Sequence, residues 1–124
     1  KKYGLDLTTS YHGIKISSGN SFVHETESKV ILNGSYDVGF TMDLVCKDVG
    51  LFDKLTDKFN IPADISKLMK KIFDEGKNKY GTRSLSTSIV KRIEDYCELS
   101  LRAPGFPDTL LDTDKKKKGI EIKF

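Results

Sequence analysis

Tryptophan is absent from this chain of 124 residues, which carries only two cysteines, two histidines and three prolines. Cys46 and Cys97 lie far apart with neither metal-binding nor redox spacing, which excludes a disulfide scaffold. They read as reduced residues at or beside the core of a cytosolic protein. His12 and His24 have no Cys, Asp or Glu at ligand spacing on a common face, so no metal site is expected, and both read as surface or partner-facing. No two glycines stand in a GxG arrangement, so the dinucleotide-binding fingerprint is missing. GxSxG, HExxH and phosphate-loop motifs are missing too, and no complete catalytic set remains. No apolar run reaches the length of a membrane span, and the first residues lack a signal peptide's apolar region. Nor does any segment alternate long enough to build a sheet.

What is present is charge, helical periodicity and small turn residues. Charged residues make up 31% and hydrophobic ones 37%, with seven Phe and five Tyr. That is enough for one domain with a single core. The net charge of +3 comes from 21 basic and 18 acidic residues, and four of the positives form the run Lys115 to Lys118. The remainder is close to neutral, which argues against a nucleic-acid face. The lysine run reads as a solvated tail, and GIEIKF after it as a short edge strand or an arm on a partner chain. The opening KKYG, without an initiator Met, reads as a cut near a domain edge, with Gly4 just past a helix end.

The periodicity predicts an all-α fold, an orthogonal or up-down bundle of four to five helices. A helix is expected over 9–17, with Asp6, Thr8 or Thr9 as its cap. After a break at SSGN, a second covers 21–32. NGSYDVGF is a turn in which Gly34 and Gly39 supply positive φ. The central helix spans Phe40 to Phe59. Pro62 suits the first turn of the next helix, 63–80, where Ile65, Leu68, Met69, Ile72 and Phe73 recur at three and four and Gly81 ends the run. In that helix Gly76 costs about 1 kcal/mol relative to Ala. A last helix is capped by Ser86, Thr87 or Ser88 and shows Leu85, Ile89, Ile93 and Tyr96 on one face. LRAPGFP then stops regular structure. The boundary falls at 103: a helical domain over 1–103 and an extended segment over 104–124.

On a wheel with Lys47 at zero, the apolar residues of the central helix run from about 40° to about 220°. Asp48 falls at about 100°, inside that arc, while Lys47 stands about 40° outside its edge. A carboxylate in the middle of an apolar face is costly unless a donor or cation meets it, so Asp48 is expected to be buried and paired. The pairing partner is either structural, at a neighbouring helix, or part of a site. Phe40, Lys47 and Asp48 together mark one rim of the helix.

The segment GSYDVGFTMDLVCKDVGLFDKL resembles the Lys-Asp helix of the 3-hydroxyisobutyrate dehydrogenase family, within the 6-phosphogluconate dehydrogenase-like superfamily. The likeness extends from about Gly4 to about Pro107 through YGTRSLSTSIVKRIEDY and APGFP. It departs at Ser35, where the family has an aspartate. The resemblance implies a C-terminal helical domain whose dinucleotide-binding half precedes Lys1, together with the family's catalytic lysine and substrate-binding asparagine. No catalytic residue is then expected in this chain. Lys47 would reach the nicotinamide cofactor, NAD or NADP, held mainly by the missing N-terminal domain. Phe40 and Asp48 would line the substrate cleft. The implied reaction is hydride transfer between that cofactor and a small 3-hydroxy acid, in a cytoplasmic homodimer with no nucleic-acid or membrane partner. This chain alone would be inactive. A stand-alone helical oligomerisation or protein-interaction module competes with that reading, and predicts an apolar patch used for pairing. A nucleic-acid binder working through the lysine tail is the third, and predicts steep salt dependence.

Overall fold

The computed structural model describes residues 1–110 and 118–121. Helix α1 runs over Leu7–Lys15, two residues earlier than the periodicity predicts, because Asp6 is its cap: Asp6 Oδ1 accepts from the Thr9 N–H at 2.7 Å. Helix α2 spans Phe22–Asn33, and its cap Ser21 accepts from the His24 N–H at 3.0 Å. Gly34 closes α2 in the left-handed region at φ +101, where a side chain costs energy. The turn that follows holds Tyr36 at φ +58, a conformation the composition of the turn does not announce.

The central helix, α3, covers Met42–Lys58. Its entry is stitched to the chain beyond the next helix. Phe40 O accepts from Ser86 N at 2.8 Å, Met42 N donates to Ser84 O at 2.8 Å, and Asp43 N donates to Thr82 O at 3.1 Å. Helix α4, Asp64–Tyr80, starts two residues after Pro62 and ends at Gly81. A 3₁₀ turn over Ser86–Val90 leads directly into α5, Lys91–Cys97. Among the described residues the fold is all-α, with two isolated backbone bridges, Asp37 to Thr109 and Thr41 to Leu85, as its only β pairing.

Helices α3 and α4 form an antiparallel hairpin, the most extensive helix pairing in the structure. Successive cross-contacts run in opposite directions along the two helices: Asp57 with Lys67 at 2.8 Å, Gly50 beside Lys70, then Cys46 beside Asp74. At the far end Gly76 faces Met42 and Ile89. A Cβ built on Gly76 would stand 2.4 Å from Ile89 Cδ1, so this glycine lets the 3₁₀ turn approach α4. Its cost in helix propensity is offset by that packing.

The buried apolar side chains are Tyr11, Val30, Leu32, Tyr36, Met42 and Cys46. This small core differs from the one the wheel predicts. On α3 the buried positions are Met42, Cys46, Asp53 and Thr56, whereas Leu51, Phe52, Leu55 and Phe59 are between 53% and 63% exposed. The helix is rotated so that one flank of its apolar arc meets α4 and the rest faces outward. On α5 the expected face fails for the same reason: Ile93 and Tyr96 are exposed, and the buried residue is Glu94.

Beyond α5 the chain has no helix over 98–110. It nonetheless lies against α1 and α2: Asn33 Nδ2 donates to Phe106 O at 2.9 Å, Ala103 N donates to Leu32 O at 3.0 Å, and the Phe106 ring packs on the edge of Tyr11 at 5.1 Å. Most of the lysine run and the last three residues lie outside the described residues, and 118–121 form no strand.

Candidate functional site

The α3–α4 hairpin leaves an open groove of about 730 Å³ along one side. Helix α3 contributes Asp43, Cys46, Lys47 and Gly50 to it, and α4 contributes Lys70 and Asp74 among others. Helical spacing explains the set: positions 43, 46, 47 and 50 recur at three and four and therefore share one side of α3. Gly50 carries no side chain there, which keeps the middle of the groove open.

The charges in the groove are mostly engaged. Asp74 binds Lys70 at 2.5 Å, and this ammonium holds its carboxyl below the usual carboxylate range, while Asp74 in return raises Lys70. Burial pushes the Cys46 thiol up, and the neighbouring Asp74 adds to the effect, so the thiol is protonated and inert as a nucleophile at neutral pH. Asp43 accepts from Thr41 Oγ1 at 2.5 Å and from Arg83 at 3.1 Å, which lowers its pKa in that order of importance. Asp57 pairs with Lys67 at 2.8 Å. Among the described residues Lys54 has no ion pair at all.

Of the three residues singled out by the Lys-Asp motif, only Lys47 lines the groove. Its Nζ lies 3.0 Å from Asp48 Oδ1, with the two side chains 60% and 54% exposed. Asp48 is thus paired with its neighbour on the same helix, but it is not buried as expected: among the described residues nothing covers its side of α3, so burial does not impose the pairing. The buried carboxylate of the helix is instead Asp53, 8% exposed and held by the Ser66 hydroxyl. Sequence reasoning missed Asp53 because it sits outside the apolar arc, and only the rotation of α3 toward α4 buries it. Phe40 precedes the helix and is 37% exposed, two helical turns before Lys47.

The histidines occupy different settings. His12 is exposed, but His24 is half-buried and stacked on Tyr11 at 4.8 Å. Its Nε2 lies 2.9 Å from the Tyr11 carbonyl, which can only accept, so Nε2 carries the proton and Nδ1 accepts from Ser28 Oγ at 3.2 Å. His24 thus ties α1 to α2, a structural role in place of the surface role expected of it. No group of three His, Cys, Asp or Glu residues able to hold a metal exists among the described residues. No described helix is long and apolar enough to cross a membrane.

The described residues thus form a helical unit with a lysine-bearing groove, in a sequence with no glycine-rich phosphate turn. Residues 1–93 match the model of the NAD-binding domain of NADP-dependent 3-hydroxyisobutyrate dehydrogenase, and the chain belongs to that family. It is similar to 2-(hydroxymethyl)glutarate dehydrogenase of Eubacterium barkeri, with 31% identity over 101 residues, covering 81% of this chain and 34% of that protein. It is also similar to L-threonate dehydrogenase of Haemophilus influenzae, with 23% identity over 90 residues, covering 73% of this chain and 30% of that protein. The chain thus spans about a third of the length of the curated relatives it matches.

The groove fits a nicotinamide cofactor only in part. Lys47 offers an exposed ammonium, a point charge suited to a ribose hydroxyl or a carboxamide oxygen. Nothing in the chain provides the glycine-rich turn that takes a pyrophosphate.

Proposed function

We propose that this chain is the C-terminal, cleft-closing half of an NAD(P)-dependent beta-hydroxyacid dehydrogenase, with the dinucleotide-binding half on a segment that precedes it. In this reading the helical domain is residues 1–103, and 104–124 is an extended segment. Lys47 contacts the cofactor, and Phe40 and Asp48 face the substrate. When bound, the cofactor takes or gives the hydride. The residues of this chain orient and enclose: Lys47 places a positive charge at the mouth, Asp48 holds that ammonium in place, and Phe40 excludes water beside it. The substrate is a small 3-hydroxy acid, and the protein works in the cytoplasm.

The observation that carries the proposal is Lys47, which lines the groove and is paired with a solvent-open Asp48, in a chain of this family. The outward apolar residues of α3 and α4, including Phe52, Leu55, Ile65 and Leu68, favour pairing with a second copy. They equally support the competing reading, a helical oligomerisation module in which Lys47 has no part. The deciding test is a dehydrogenase assay of the protein including its preceding segment, with NAD and NADP and a panel of small hydroxy acids. The expected result is turnover, with Lys47→Ala raising the cofactor KM about tenfold or more. Absence of turnover with every acid, or a Lys47→Ala variant matching the parent, would overturn the proposal. The 124-residue chain alone is expected to show no turnover.

A further inference from the structure

Residues of α1, α2 and the loop over 104–107 line a second, open-mouthed cavity of about 500 Å³, which shares no lining residue with the α3–α4 groove. Its size is within the range of small-molecule sites. Tyr11 and Phe106, ring to ring at 5.1 Å and nearly perpendicular, form the apolar part with Pro104 and Pro107. Thr8, His12, Lys15 and Lys29 form the polar part, and among the described residues no carboxylate lines the cavity. Glu25 does not line it; that carboxylate accepts from Asn20 at 2.7 Å and pairs with Lys15 at 3.1 Å. The loop is held in place before any ligand arrives, by the Asn33–Phe106 and Ala103–Leu32 hydrogen bonds and by the Arg102 guanidinium on Ile31 O at 3.3 Å. A preformed site loses little affinity to ordering.

We propose that this cavity binds a small organic anion with a flat apolar body. A carboxylate or phosphate head sits toward Lys29 and Lys15, and the body lies against Phe106 and the two prolines. Both halves of the ligand are needed: Lys15 is already shared with Glu25, so a charge contact alone is weak, and the apolar wall alone is partly open to solvent.

The test is a titration of the 124-residue chain followed by backbone amide NMR shifts, with sodium benzoate, phenyl phosphate, benzyl alcohol and inorganic phosphate as probes. Benzoate and phenyl phosphate are expected to give saturable shifts at His12, Gly105 and Phe106, with a midpoint of about a millimolar. Comparing those two identifies the preferred head group. Benzyl alcohol and inorganic phosphate, each lacking one half, are expected to bind at least about tenfold more weakly. Lys29→Glu should weaken benzoate by a similar factor with its helical circular dichroism retained, and Lys47→Ala should leave benzoate binding unchanged. The proposal falls if benzoate shifts do not saturate, if benzyl alcohol or inorganic phosphate binds as well as benzoate, or if folded Lys29→Glu binds benzoate undiminished. The neutral and inorganic probes decide the matter on the parent chain even if that variant does not fold. Because Lys47 takes no part, loss of the dehydrogenase reading leaves this site standing.

Discussion

Glu94 Oε1 and Arg102 Nη1 meet at 2.8 Å, and the Tyr36 hydroxyl joins both, 2.6 Å from Glu94 Oε2 and 2.6 Å from Arg102 Nη2. The Leu101 N–H adds a further donor to Glu94 at 2.6 Å. Both the Arg102 guanidinium and the Lys91 ammonium stand over the Tyr36 ring, at 5.0 and 4.7 Å. This closed network joins the turn after α2, helix α5 and the segment that follows it. Thr87 completes the fixation of the turn by donating to Tyr36 O at 2.6 Å. The turn delivers Phe40 and α3, so the network holds the approach to the proposed cleft wall.

Glu94→Gln is expected to destabilise the fold by about 2–4 kcal/mol, since it leaves a half-buried guanidinium without its counter-charge. Burial alone would raise the Glu94 carboxyl, but the Tyr36 hydroxyl, the Leu101 N–H and Arg102 outweigh it and hold the group below its ordinary value of 4.5. A depressed folded-state pKa stabilises fully above the unfolded value, and that contribution is lost as pH falls through the folded one. Urea unfolding from pH 7 down to pH 3 checks this. The parent should lose stability below about pH 4.5, and Glu94→Gln should lose less over the same window. Parallel profiles would remove the network from the account.

Gly34→Ala should cost about 2 kcal/mol or more, for two separable reasons. Its φ of +101 disfavours any Cβ, and that Cβ would stand 2.3 Å from Arg102 Nε. A double-mutant cycle with Arg102→Ala separates them, because removing the guanidinium relieves the collision and leaves only the backbone cost. Additive effects would show that Arg102 yields freely.

Ser66→Ala removes the hydroxyl that meets the buried Asp53 carboxylate, and should lower stability by about 1–3 kcal/mol. Replacing both, as Asp53→Leu with Ser66→Ala, should recover much of the loss, since neither polar group is then left unmatched. Chemical denaturation measures both. A neutral Ser66→Ala would mean that Asp53 is served by solvent or by its lysine neighbours.

Leu55→Glu addresses the outward apolar flank of α3. If a second copy covers it, the dissociation constant measured by sedimentation should rise at least about tenfold, while the thermal midpoint of the separated monomer stays close to the parent's. A parent chain that sediments as a monomer at every concentration would reject the dimer.

Local chemistry was legible in the sequence. Asp6, one of the three caps expected for the first helix, does cap it, and Gly34, Gly39 and Gly81 sit at turns or helix ends for reasons internal to the backbone. Ser21 caps α2 at the position where the periodicity starts the helix itself, and Ser86, Thr87 and Ser88, expected as caps of the last helix, lie instead in a 3₁₀ turn that runs into α5 without a side-chain cap. The Lys-Asp motif was equally readable, and with it the family, since both depend on residue order alone. Tertiary structure decided which side of each helix is inside. Periodicity says which residues share a face, but only the neighbouring helices say which face is covered. For that reason Asp53 and Glu94 are buried where Asp48 and Tyr96 are not, Gly76 serves as a contact point for Ile89, and much of the apolar arc of α3 stands open.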